Sequence, residues 1–159
     1  MTQNELRVLK TANRLKYLES ISFMLKEEVY VTRKEEEKRL LKRSRDFLET
    51  SEYQTSKGFY DLAIFSLEQA LQLFLKAKVM AEGVDYPRTH SVRALLEILL
   101  DVVPQNLKSS IKGILEKYLL ELGMLEDAYI TSRYVMREFT KPEAEKLSKA
   151  VKEIMENVT

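Results

Sequence analysis

The residues with the most distinctive chemistry are the single histidine, His90, and the arginines Arg133 and Arg137 in the segment YITSRYVMREF. Histidine exchanges a proton near neutral pH, whereas a guanidinium keeps its charge and serves to hold a carboxylate or a phosphate. Arg133 stands at the end of an apolar helical stripe, so it needs a carboxylate, a phosphate or the open end of the fold beside it. Glu68 or Asp61 in a neighbouring helix would make it a structural ion pair; a groove would make it a phosphate ligand. Tyr129 shares a helical face with Arg133 and Arg137, while Asp127, Thr131 and Tyr134 share another. Both tyrosines suit amphipathic packing or base stacking. Lys76 and Gln69 lie on a polar stripe that could reach phosphate or form a plain solvated edge. His90 follows a proline turn at a helix start, where it either bonds locally or contacts a ligand. The candidate ligand-contacting residues are Arg133, Lys76, His90, Tyr129, Tyr134 and Asp127. No catalytic residue is assigned, and neither a metal nor a cofactor is expected.

Composition narrows the field. The 159 residues suit one domain with an appendage, and 26 Lys+Arg against 25 Asp+Glu leave no global field to recruit nucleic acid or an anionic membrane. The absence of cysteine removes disulfides and thiolate chemistry, and one histidine makes a His-based metal site or triad hard to assemble. No apolar run reaches the roughly 18 residues of a spanning helix, and MTQNELRVLK lacks the features of a signal peptide. A soluble, cytoplasmic protein with no membrane partner is expected. The abundance of Leu, Lys and Glu suits a helical, thermophile-like composition.

The elements that must position these residues are helices throughout. Phe59–Ala81, FYDLAIFSLEQALQLFLKAKVMA, holds strong helix formers between Gly58 and Gly83 and is apolar around most of its circumference. It predicts a central helix whose one wet edge is the stripe Phe65, Gln69, Gln72 and Lys76. Residues 3 to about 29 predict a ragged helix interrupted by VYVT at 29–32, either an extra packed helix or a dimerisation arm. Residues 34–57 predict another, and the basic cluster Lys38, Arg39, Lys42, Arg43 and Arg45 reads as a solvated face with i,i+4 pairs. Pro87 blocks helix before VRALLEILLDV, which Thr89 or Ser91 can cap. A long helix is expected from Pro104, in its first turn, to about Phe139, with Gly123 allowing close packing or a kink. Thr140-Lys141-Pro142-Glu143 is a capping box that opens the last helix. The fold class is an all-α, up-and-down bundle of about five to six helices, with an N-terminal extension over 1–35 and the bundle over 36–159.

Three stretches in order, FLETSEYQTSKGFYDLAIFSLEQALQLFLKA, PRTHSVRALL and LEDAYITSRY, resemble the HEPN domain family of archaea and bacteria. The resemblance covers roughly residues 37–139. It implies a helical bundle that forms a homodimer, binds a nucleotide or RNA, and works beside a nucleotidyltransferase-type partner in a toxin–antitoxin-like pair. Some members are ribonuclease toxins with an Arg-x(4–6)-His motif on the late helix. Arg133 matches that arginine, but Glu138, Phe139 and Thr140 stand five, six and seven residues on, where the histidine is expected, and at the same offsets from Arg137 stand Pro142, Glu143 and Ala144. A lone arginine stabilises phosphate charge but cannot shuttle a proton. The expected function is a non-catalytic, dimeric nucleotide- or RNA-phosphate-binding module. The alternatives are a metal-independent ribonuclease, with His90 as the base if its loop folds onto Arg133, and a structural or adaptor dimer.

Overall fold

A computed structural model describes residues 1–85, 88–134 and 137–158, with residues 131–134 described in backbone only. Six helices are present among them, and no strand: α1 (Gln3–Ser56), α2 (Tyr60–Ala81), α3 (Val92–Val102), α4 (Gln105–Lys117), α5 (Leu119–Tyr134) and α6 (Lys141–Asn157). Two compact units divide the chain, residues 1–36 and 37–159, and α1 contributes residues to each.

The first unit is helix from Gln3 onward, and VYVT at 29–32 does not break it. β-branched residues cost a helix only a few tenths of a kcal/mol each, less than its neighbours supply. The Thr32 hydroxyl donates to the Glu28 carbonyl at 2.9 Å, a bond made within the helix.

The second unit is an all-α bundle in which α2 packs against α3, α5 and α6. Its core includes Ile64, Leu67, Leu71 and Leu75 of α2, Leu95, Leu96 and Leu99 of α3, Leu122 and Leu125 of α5, and Leu147 and Ile154 of α6, all buried. The 37–56 part of α1 adds the half-buried Leu41 and Leu48. It approaches α2 through Ser44, whose small buried side chain donates to the Ala70 carbonyl at 2.6 Å. The opposite, basic surface of α1 is solvated, and Lys42 pairs with Asp46 one turn on.

The caps explain where the helices stop. Gly58 takes φ +80°, a left-handed conformation open to glycine, and Phe59 N–H returns to the Gln54 carbonyl at 2.9 Å. Ser91 caps α3 by accepting from Ala94 N–H at 3.0 Å, while Thr89 accepts from Ser91 N–H. Thr140 and Glu143 complete a capping box at α6. Pro87 lies outside the described residues.

Two expectations about the late helices change. Pro104 is the N-cap of α4 and not part of its first turn. The expected long helix is interrupted at Tyr118, which takes φ −106° and ψ 26°, and not at Gly123. Residues on both sides of that break, Ile114 and Leu122, are buried, so the interruption lets α4 and α5 each follow the core. A Cβ at Gly123 would meet the Arg93 guanidinium at 3.5 Å, an ordinary contact, so space alone does not demand glycine there.

Candidate functional site

The stripe expected to be the wet edge of α2 is mostly buried. Phe65 and Gln69 are half-buried, Gln72 is 3% exposed, Lys76 is 9% exposed, and Glu68 beside them is fully buried. The cover comes from α5 and from the segment before α3, which closes over the α2 surface at His90. Burying polar groups costs several kcal/mol unless partners replace water. The partners here run up the helix in two steps of four residues, Glu68 to Gln72 to Lys76, with Gln69 added beside Glu68. Gln72 Nε2 donates to Glu68 Oε1 at 2.8 Å, Gln69 Nε2 donates to Glu68 Oε2 at 2.7 Å, and Lys76 Nζ donates to Gln72 Oε1 at 3.1 Å. Gln72 Nε2 also reaches the His90 carbonyl at 3.3 Å, and Gln72 Oε1 lies 3.4 Å from His90 Nδ1.

Aromatic rings sit over this ladder. His90, itself exposed, stacks on Tyr129 of α5 with centroids 4.9 Å apart and planes 23° apart. Tyr129 in turn lies 6.5 Å from Phe65, the planes 13° apart. One turn back along α5, Glu126 reaches the start of α3. Its Oε1 accepts from Ser91 Oγ at 2.6 Å and from Arg93 N–H at 3.1 Å, so a carboxylate from α5 caps a helix whose own first turn carries no acid.

These surroundings shift two groups. Burial raises Glu68 to about 7, opposed by the hydrogen bonds from Gln72 and Gln69 and by the Lys76 charge, and assisted by the nearby Glu126 carboxylate. Burial lowers Lys76, and Glu68 partly restores it. The ladder therefore holds a carboxyl group that changes charge near neutral pH, next to an ammonium that is disfavoured as a cation.

Of the expected site residues, His90, Tyr129 and Lys76 come together around Gln72. Asp127 does not: it is exposed and lies about 200° around α5 from Tyr129. Arg133 and Tyr134 belong to the last turn of α5 in backbone, and their side chains lie outside the described residues. The two carboxylates weighed as partners for Arg133 have other bonds, since Asp61 Oδ1 accepts from Phe139 N–H at 2.8 Å and Glu68 is held by the glutamines. Arg137 pairs with Glu143 at 3.1 Å and lies 4.6 Å from the Phe139 ring centroid. Glu68, Gln72 and Phe65 were expected only as an ion-pair partner for Arg133 or as the polar stripe, and Glu126 was not singled out. The signal that joins Glu68 and Gln72 to Lys76 is their spacing of four residues on an otherwise apolar helix.

A cleft of about 630 Å³ lies elsewhere, between the end of α1 and α6, and its lining alternates acids and bases such as Glu52 and Lys152, which pair at 2.6 Å. Among the described residues no cluster of His, Asp and Glu is arranged to hold a metal ion, and no helix is long and apolar enough to cross a membrane.

The family model for the HEPN domain matches residues 37–159, the whole of the second unit. Two solved structures share the fold. One is TT1696 from Thermus thermophilus, with a TM-score of 0.55 and 24% identity, covering 77% of this chain and 94% of its own. The other is ST0689, an archaeal HEPN homologue, with a TM-score of 0.55 and 23% identity, covering 77% and 93%. No curated protein matches.

The raised Glu68 sets a pH dependence of stability. The folded state keeps its proton up to about 7, while the unfolded chain releases it near the ordinary 4.5, so stability falls as pH rises between those values. The loss is at most about 3 kcal/mol, reached above neutrality. Glu68→Gln, which keeps the shape and an acceptor for Gln72, is expected to flatten this slope and to be the more stable protein at pH 8. Urea midpoints at pH 5, 6, 7 and 8 check it; parallel curves for the two proteins would contradict the assignment.

Proposed function

The chain belongs to the HEPN domain family, and from that premise we propose that its bundle is a non-catalytic module that binds a nucleotide or an RNA phosphate. The observation that carries this reading is the exposed His90 stacked on Tyr129 directly above Gln72 and Lys76. A stack of rings open on one side offers a surface for a base, and every base has a face to place on it. The polar ladder beneath fixes the stack, because Gln72 holds the His90 backbone and ring from below. Arg133, four residues beyond Tyr129 in the same helix, takes the phosphate in this reading, with the long Lys76 side chain in support. Asp127 is left out of the set, and Tyr134 stays within it as a neighbour of Arg133 in sequence.

Titrating ATP, GTP and a short RNA tests the reading. Removing the stacking ring in His90→Ala is expected to weaken binding about 5- to 150-fold, the range for losing one base–aromatic stack. Arg133→Ala is expected to cost about tenfold or more, as for a charge-assisted bond to phosphate. Absence of binding by the wild type at millimolar ligand would sink it.

A second reading, a metal-independent ribonuclease, gains support from the same contact. The family's late-helix histidine is absent, yet His90 is brought against α5 at Tyr129, one turn from Arg133. A base delivered from the α2–α3 connection would serve the proton transfer that a lone arginine cannot. Incubation with total RNA decides it. Cleavage lost in both His90→Ala and Arg133→Ala is the expected pattern, and intact RNA with the wild type excludes this reading.

The module is further proposed to act beside a nucleotidyltransferase-type partner as one half of a toxin–antitoxin-like pair, a reading supported by family membership alone. Purifying the chain from its native cells under gentle conditions is expected to bring such a protein down in stoichiometric amount. A chain that emerges without a partner at native expression would argue against the pairing.

A further inference from the structure

Residues 1–36 lie outside the HEPN match and form a unit of their own. Val8, Leu15, Leu18, Leu25 and Val29 of this part of α1 are each more than half exposed. At 100° per residue the five fall within an arc of about 100°. Thr11 and Ser22 complete the series, giving positions 8, 11, 15, 18, 22, 25 and 29. The steps alternate three and four residues, the heptad spacing of a helix that pairs with another helix, while Leu9, Tyr17, Phe23 and Met24 are exposed on its other faces. A groove of about 450 Å³ lies on this stripe, lined by Leu18, Ile21, Ser22, Leu25, Lys26 and Val29. Small Ser22 between larger neighbours makes it a hole of the kind that receives a knob.

Charge indicates what fills it. Residues 1–16 carry four basic side chains and one acidic, whereas residues 17–36 carry three basic and five acidic. Two copies lying antiparallel set the basic half of each against the acidic half of the other; two parallel copies would set like on like. Exposed pairs of this sort contribute less than about 1 kcal/mol each, but they choose orientation and partner. The register follows from the flanking positions. Laying Val8 against Leu25 and Leu15 against Leu18 of a second copy sets Arg7 opposite Glu28 and Glu5 opposite Lys26. Sliding by one heptad brings Glu19 against Glu19 of the other copy. We propose that residues 5–29 form an antiparallel, two-stranded coiled coil with a second copy of this chain, in the register that pairs Val8 with Leu25.

The chain has no cysteine, so single introduced thiols report the arrangement cleanly. Full-length Val8→Cys and Leu25→Cys chains, one carrying a mass tag, are co-expressed and treated with a short bis-maleimide, then separated on a denaturing gel. The proposed register brings the two thiols into one layer, and a mixed cross-linked dimer is expected. Either variant alone places its thiols about 25 Å apart, seventeen residues along the helix, and no cross-link is expected. Adding Leu18→Glu to both chains is expected to abolish the mixed product, while the helical circular dichroism of the bundle is retained. Efficient linking of Val8→Cys to itself would mean parallel pairing and overturn the proposal. So would no link in the mixture, the result if another protein covers the stripe or if copies associate only through residues 37–159. A mixed product that survives Leu18→Glu also overturns it.

Discussion

The bundle depends on one constraint: α2 is covered from several sides, so the polar groups on its single non-apolar stripe must find partners inside the protein. Glu68 is the severe case, a fully buried carboxyl group in the middle of the core helix. Ionised and alone it would be intolerable there. Two glutamines of its own helix turn their amide donors toward it, and burial holds on to its proton until about pH 7. Gln72 is the pivot, since its amide nitrogen serves Glu68 and its oxygen accepts from Lys76. A glutamine can do both at once because it carries donor and acceptor on one planar group.

That arrangement has consequences beyond α2. The donors left on Gln72 fix the His90 backbone, His90 fixes the position of its ring on Tyr129, and Tyr129 belongs to α5. A second tie between the same elements runs from Glu126 of α5 to Ser91 and the first turn of α3. The connection before α3 is thus held from below by α2 and from the side by α5. This is how a residue in a loop acquires a defined position: the side chains that hold it sit on helices whose own positions are set by the core.

The fold was legible because its signals are local. The apolar circumference of Phe59–Ala81, the glycines at 58 and 83 and the Thr140–Glu143 box each act within a few residues, and α2 and α6 follow from them. The break at Tyr118 was not legible, because neither a proline nor a glycine marks it; α4 and α5 part there to follow a core assembled from distant segments. The site was half legible. Histidine, arginine and tyrosine draw attention by their chemistry, and His90, stacked on Tyr129, is linked to Lys76 through Gln72. Asp127 lies about 200° around α5 from Tyr129, on an exposed side of the helix. Spacing places Glu68 on the same stripe as Gln72 and Lys76 but does not show that it is buried, and Glu126 acts through a contact 35 residues away in sequence, which spacing does not reveal. The wet-edge expectation failed for a related reason: polarity along a helix shows that a stripe can tolerate water, not that water reaches it.

The same distinction separates the two apolar helix faces of the chain. In α2 the apolar residues fill most of the circumference, which suits a helix with neighbours on several sides. In residues 8–29 five exposed apolar residues and two small hydroxyl residues share a seam of seven positions repeating at three and four, with charges of opposite sign graded from end to end. A helix that merely packed on a bundle would gain nothing from a charge gradient along its axis. That gradient is what self-pairing in opposite directions selects, because a gradient is complementary to its own reverse and to no parallel copy of itself.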